Sequence, residues 1–314
     1  MSLWRYLVQM LSTVAIVVGL AATFNWTIDP LSWRPDGRFD IYFANDRAFK
    51  AHWIRLYAHE GLLMGSSKVR QIDPETISGP RFFNAGFGLA SPEEMLEYLD
   101  RYVQSERLLV IGFDFWMMNE PKTLGGSMFT DLNTPPLYGH SPREWFTYLT
   151  SLESTAQSLE GVIKSAIGAP GFYSPAGNII VTAASLAAPS DKLRYERNIK
   201  RALDIRFRDF HYSVRRIGVI KAIKDWAEMR HARLLVFLSP LNGDEAAVLR
   251  TLPAWSYYDR FRSEMREVFP DLTDFTDDYP GASNYMPDDA FHYRSQVGAR
   301  MIETVLNRHK EGKP

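Results

Sequence analysis

The 314-residue sequence contains no cysteine. That absence excludes disulfides, thiolate nucleophiles and cysteine-ligated metal sites. It leaves an oxidising compartment open, because a chain of this length buries a core that needs no covalent staple. An excess of charge is missing too: 36 Lys and Arg stand against 37 Asp and Glu, for a formal net charge of -1. No Lys/Arg block occurs along the chain, so a nucleic-acid partner has no electrostatic footprint. Metal-ligand spacing is also lacking. His140, His211 and His231 are scattered. His52 and His59 lie seven apart on one helical face with no carboxylate pattern beside them, and they read as structural. "DLTDFTDD" has the carboxylates of a calcium loop without its glycine or terminal glutamate. "GFGLASPEE" is not the G-x-G-x-x-G dinucleotide fingerprint. No metal and no cofactor is expected.

What the sequence does hold is one long uncharged run. Residues 7–24, "LVQMLSTVAIVVGLAATF", are near the lower length limit for a membrane-spanning helix. Trp4 and Trp26 flank the run, as interfacial aromatics do. The small residues of "GLAA" suit a cleaved signal peptide as well. Both readings place the remaining chain outside the cytoplasm. Residues 1–28 are therefore an anchor or signal segment. Residues 25–40, with two prolines and a glycine, are a connector leaving the membrane surface. The 46% hydrophobic content supports a sizeable core. No repeat or boundary divides residues 29–310, which are expected to form a single domain with an excursion around 119–190.

The domain reads as α/β. "GLLMG", "RFFNAGFG", "RLLVIGFDF" and "ARLLVFLSPLN" are short, continuous apolar runs that suit strands covered on both faces. "SPEEMLEYLDRYVQS" between two of them has a serine cap, an early proline and first-turn acids, which is a helix start. Strand, loop, helix, strand is the βαβ order. Residues 191–230 return to helical periodicity, "TLPAWSYYDRFRSEMREVFP" predicts a helix, "LTDFTD" a last strand, and Ser295 to His309 a terminal helix.

Two stretches carry chemistry. In "LLMGSSKVR", residues 62–70, a buried strand runs into Gly65 and the pair Ser66-Ser67. A serine hydroxyl needs a base within hydrogen-bond reach and donors for the developing oxyanion. A turn into a helix there exposes a hydroxyl beside free backbone N–H groups. A routine turn or N-cap uses the same residues. The spacing is not the G-x-S-x-G elbow. In "YMPDDAFHYRSQVGARM", His292 follows Asp289 by three residues. A carboxylate so placed fixes the imidazole tautomer while the other ring nitrogen takes a serine proton. Asp288 could serve instead of Asp289.

Together these stretches resemble the SGNH, or GDSL-like, hydrolase superfamily. The resemblance implies a flavodoxin-like, three-layer SGNH-hydrolase fold with a mostly parallel sheet, here with an N-terminal transmembrane helix. It makes Ser67 the nucleophile, with Ser66 at the family's aspartate position, and Asp289 and His292 the acid and base. "FNAGFG" matches the second block, with Gly86 as the oxyanion-hole donor through its backbone N–H and Asn84 in support. The third block departs: "GFDF" puts Asp114 where the family has an asparagine. An ionised Asp114 would repel the developing charge. Asn119 in "WMMNE" is the candidate replacement amide.

Gly-Ser-Ser, the N-terminal anchor and "NWTIDP" are similar to membrane-anchored bacterial SGNH-like proteins, among them the alginate O-acetylation proteins. Those transfer acetyl groups onto envelope or secreted polysaccharides and can work beside multi-spanning membrane O-acyltransferases. The resemblance thus implies a serine acyl esterase or O-acetyltransferase, single-pass in the bacterial inner membrane with its domain in the periplasm. Its partners are then an acylated polysaccharide or other carbohydrate and a membrane O-acyltransferase. A non-catalytic scaffold or binding subunit of an envelope polysaccharide complex is the alternative, raised by Ser66 and Asp114. Lys68 and Arg70 could hold an acidic sugar, though the expectation is solvated surface cations. Trp145 and Phe146 are expected in a core rather than against a sugar ring.

Overall fold

The structure, a computed structural model, describes residues 3–34, 46–104, 106–120, 142–187 and 191–310. The uncharged run and its flanks form α1 (Leu3–Ile28), followed among the described residues by α2 (Asp46–Trp53), β1 (Gly61–Met64), the one-turn α3 (Ser67–Arg70) and β2 (Phe82–Asn84). Next come α4 (Pro92–Tyr102) and β3 (Leu108–Phe113). The described part of the excursion holds α5 (Pro142–Thr150), α6 (Leu152–Ala166) and α7 (Ala183–Ala187); its residues 121–141, and with them His140, lie outside the described residues. The chain continues through α8 (Lys192–Phe207), α9 (Val214–Met229), β4 (Arg233–Leu238), α10 (Gly243–Leu249), α11 (Tyr258–Val268) and β5 (Thr273–Asp274). A hairpin of β6 (Tyr285–Met286) and β7 (Asp289–Tyr293) leads into α12 (Ser295–Lys310).

The five main strands form one all-parallel sheet in the order β2-β1-β3-β4-β5. The two faces are sorted by residue parity. Leu62, Met64, Leu109, Ile111, Val236 and Leu238 face one core, shared with α4, α9 and α11. Leu63, Val110, Leu235 and Phe237 face the other, shared with α12. This sorting explains why the strands read as unbroken apolar runs: both faces are covered, making three layers. Each fully buried leucine contributes about 1.5–3 kcal/mol of burial energy. The helix after β2 starts as its sequence dictates, with Ser91 and Glu94 forming a reciprocal capping box and Pro92 in the first turn.

The direction of the chain changes between β1 and β3, where the strand order reverses. In open parallel sheets the carboxyl ends of strands at such a point border a crevice. β1 ends there at Met64, directly before the Gly-Ser-Ser turn. α1 is long and apolar enough to cross a membrane, and its most apolar window is unburied. One expectation about histidines fails: His52 lies in α2, which ends at Trp53, and His59 lies past that end, so the two share no helical face. His59 instead sits 3.1 Å from Glu106 Oε1.

Candidate active site

The first side chain is set by the end of β1. Gly65 has φ +156°, and a Cβ there would lie 2.4 Å from Val69 Cγ2 and 2.8 Å from the Gly112 carbonyl oxygen. Only glycine fits, and the chain turns at once into α3. Ser66 is the N-cap: its Oγ accepts the Lys68 N–H at 3.1 Å. Ser66 is therefore the structural serine of the pair. Ser67 opens the helix, and among the described residues nothing accepts its backbone N–H.

The second and third side chains come from β7. Asp289 Oδ1 accepts the backbone N–H groups of Phe291 at 2.9 Å and His292 at 3.2 Å. Its Oδ2 stands 2.5 Å from His292 Nδ1. His292 Nε2 stands 2.8 Å from Ser67 Oγ. Two segments 225 residues apart in sequence are thus joined in one hydrogen-bonded row. Burial pushes the Asp289 carboxyl up, but the hydrogen bond and charge of His292 and the two backbone donors outweigh it and hold the group below the usual carboxylate range. An ionised Asp289 accepts from Nδ1–H, which leaves Nε2 free to accept the Ser67 proton. Asp288 is committed elsewhere, accepting the Asp191 N–H at 2.7 Å and pairing with Arg194 at 2.8 Å.

The remaining expected residues are used otherwise. Asn84 is fully buried, and its Nδ2 donates to the Val69 and Ile72 carbonyls at 2.8 and 2.7 Å, closing the end of α3. The Gly86 N–H, expected to face an oxyanion, donates to Asn84 Oδ1 at 2.9 Å. This corrects the donor assignment: an amide already satisfied inside the loop is not free for a substrate. Asn119 is corrected too, because it is fully buried and turned inward. Its Nδ2 donates to the Arg206 carbonyl at 2.8 Å and its Oδ1 accepts the His211 N–H at 3.1 Å, so it ties the β3 exit to the end of α8. At the strand end, the Ser67 N–H is a backbone donor with no acceptor among the described residues.

Lys68 is not a solvated cation. It is 2% exposed and reaches inward, donating to the Pro240 carbonyl at 3.0 Å. Its ammonium lies 3.6 Å from Asp114 Oδ1 and 3.7 Å from Glu245 Oε2. Asp114 therefore has a buried cation beside it beneath the strand ends. Arg206, also buried, completes a cluster of two cations and two carboxylates, and burial pushes Glu245 up from its ordinary value. Arg70 pairs with Asp46 at 2.6 Å.

Sequence reasoning missed the role of α2. Asp46 accepts the Gly88 N–H at 2.7 Å, Arg47 donates to the Gly88 carbonyl at 3.2 Å, and Lys50 donates to the Gly86 carbonyl. One helix face thus clamps the loop that packs against α3. A helical i, i+4 acid and lysine was visible in "DRAFK", but nothing local says which backbone groups it meets. Trp145 packs as expected, 5.2 Å from Trp33 and 5.4 Å from Trp26 between ring centres. Phe146 does not: it is exposed. Two hollows lie away from Ser67. One of about 420 Å³ is lined by Ile199, Leu203, Phe207, Val248 and Leu252, and one of about 260 Å³ by Val236, Phe269 and His309 among others. In a comparison with known proteins, no family model and no curated protein matches the chain.

Proposed function

We propose that this chain is a serine acyl esterase or O-acetyltransferase of the SGNH-like kind, held at the bacterial inner membrane by α1 with its domain in the periplasm. Its substrate is an acylated carbohydrate, and a membrane O-acyltransferase is the partner that would deliver an acyl group. The observation that carries the reading is the row Ser67–His292–Asp289, with contacts of 2.8 and 2.5 Å. The strand order β2-β1-β3-β4-β5, the flavodoxin-like order, supports the fold assignment.

The chemistry follows from the row. Ser67 Oγ attacks the acyl carbonyl carbon while His292 Nε2 takes the hydroxyl proton. The Ser67 N–H stabilises the oxyanion. As the intermediate collapses, the bond from the carbonyl carbon to the leaving alcohol breaks and His292 returns the proton to that alcohol. Ser67 is left acylated. Water then gives hydrolysis, and a sugar hydroxyl gives transfer.

A second reading has a specific observation behind it. The Gly86 N–H and the Asn119 amide are both internally bonded, which leaves a thin oxyanion site and favours a non-catalytic subunit that keeps the fold. Covalent labelling by an organophosphonate separates the two. We expect a label that Ser67→Ala abolishes and Ser66→Ala largely keeps. No label on the wild-type chain, or one that survives Ser67→Ala, overturns the enzyme reading.

A further inference from the structure

Helix α6 has three distinct sides. Its buried residues are Ser154, Ser158 and Gly161, one small residue per turn. A polar side carries Glu153, Gln157, Glu160 and Lys164, with Glu160 and Lys164 paired at 2.7 Å. The third side is apolar and uncovered: Leu152 is 88% exposed, Leu159 56%, Ile163 53% and Ile167 74%. The spacing 152, 159, 163, 167 keeps these four on one stripe. Leaving four such side chains in water forgoes most of the burial energy they could gain. An uncovered stripe of this kind on a soluble face needs a partner.

The neighbour of α6 indicates which partner. α6 packs against α1. The join is polar and specific: Asn25 near the end of α1 donates to Thr155 Oγ1 at 3.0 Å and to the Leu149 carbonyl at 2.8 Å, and accepts from Ser158 Oγ at 2.9 Å. The hydrogen bonds of the join all fall at Asn25, near the end of α1. At the level of the join sit Trp26, Trp33, Trp145 and Tyr148, with the Arg34 guanidinium 4.6 Å over the Trp26 ring. Trp33 and Tyr148 are buried there, while Trp26 is 46% exposed, and an exposed tryptophan under an arginine at the end of an apolar helix marks the level of lipid headgroups. The helix that carries the uncovered stripe is thus bonded to the end of a membrane-length helix, at the level where that helix would meet the membrane surface.

We propose that the occupant of the stripe is the lipid bilayer: α6 lies in its surface, with Leu152, Leu159, Ile163 and Ile167 among the acyl chains beside α1. The inference rests on α1 spanning the membrane and is independent of the chemistry at Ser67. An amphipathic helix of this kind settles about 5–10 Å into the headgroup boundary. Because Glu160 and Lys164 neutralise each other, attachment is apolar and insensitive to salt. Two contacts, α1 and α6, then fix the orientation of the domain over the membrane.

The absence of native cysteine permits a clean test on the full chain. Single variants Leu159→Cys, Ile163→Cys, Gln157→Cys and Ile16→Cys are labelled with a bimane fluorophore and placed in nanodiscs with and without brominated lipid. All four positions are at least partly exposed, so labelling leaves the packing intact. We expect bromolipid to quench positions 159 and 163 as it quenches 16, with 157 unaffected, at low and high salt alike. Quenching at 16 alone overturns the α6 inference and leaves the anchor standing. No quenching at any position overturns the anchor as well. Blue-shifted, bromolipid-insensitive emission at 159 and 163 means that a second copy or another protein covers the stripe, and it also overturns the inference.

Discussion

Replacing Asp289 by asparagine removes a charge and almost no bulk. The side-chain oxygen can still accept the Phe291 and His292 N–H groups, now at 2.9 and 3.2 Å. What changes is the atom facing His292 Nδ1. A carboxylate oxygen stands there at 2.5 Å, and an NH₂ donor would replace it. A donor opposite Nδ1 makes that nitrogen the acceptor and moves the ring proton to Nε2. Nε2 lies 2.8 Å from Ser67 Oγ and can then no longer take its proton. In serine triads this exchange of tautomer lowers kcat by roughly 10⁴-fold, which is about 5.5 kcal/mol at 1.36 kcal/mol per decade. We expect Asp289→Asn to lower the rates of organophosphonate labelling and of p-nitrophenyl acetate hydrolysis by roughly 10³–10⁴-fold, with thermal unfolding little changed. Asp288→Asn is the control one residue away. It weakens an ion pair to the half-exposed Arg194, worth about 1 kcal/mol or less, and the labelling rate should stay near wild type. A loss below roughly tenfold in folded Asp289→Asn, or equal losses in both variants, would refute the reasoning.

Three other outcomes follow from the geometry around the site. Gly65→Ala places a Cβ 2.4 Å from Val69 Cγ2 at a φ of +156°, so the unfolding free energy from urea titration should fall by roughly 2–4 kcal/mol; an unchanged midpoint would mean that the turn can move. Lys68→Met leaves Asp114 and Glu245 buried without their nearest ammonium, and should cost about 3–5 kcal/mol by the same measurement. Burial pulls the Lys50 ammonium down from 10.5 to about 7. Between those values the unfolded chain holds the proton that the folded chain has released, so this group makes stability rise with pH across that window. Urea midpoints of the wild type minus those of Lys50→Met should climb from pH 7 toward 10.5, and a flat difference would show that Lys50 keeps its proton.

Much of the fold was legible because parallel strands covered on both faces leave continuous apolar runs. "GLLMG", "RLLVIGF" and "RLLVFL" each became a strand of the central sheet. The capping box at Ser91 and Glu94 was legible because it is local chemistry within one turn. That Ser67, Asp289 and His292 would be neighbours was suggested by short motifs at a strand end and a late turn. The donors were not legible. Gly86 and Asn119 have the right chemistry, but whether an N–H or an amide faces a substrate or its own loop depends on backbone direction. Lys68 was misjudged because a lysine beside two serines looks like surface until the exits of β3 and β4 and the helix α10 close over it. Phe146 was misjudged because adjacent helical residues point in different directions, and only the packing of α5 on α1 decides which is covered.

The amino-acid sequence alone determined the layered α/β character, the membrane-length helix and the two turns that meet at Ser67. Each depends on periodicity or on contacts within a few residues, and such terms survive in a one-dimensional pattern. Tertiary structure decided which of two serines caps a helix, which of two aspartates faces the imidazole, and where the buried charges find their counterions. The cap is a bond between near neighbours, but Asp288 is drawn off by Asp191 and Arg194, His292 meets Ser67, and Lys68 meets Asp114 and Glu245, all across long stretches of chain. The strength of these long-range contacts is set by distance and burial, and neither is written in any local stretch of the chain.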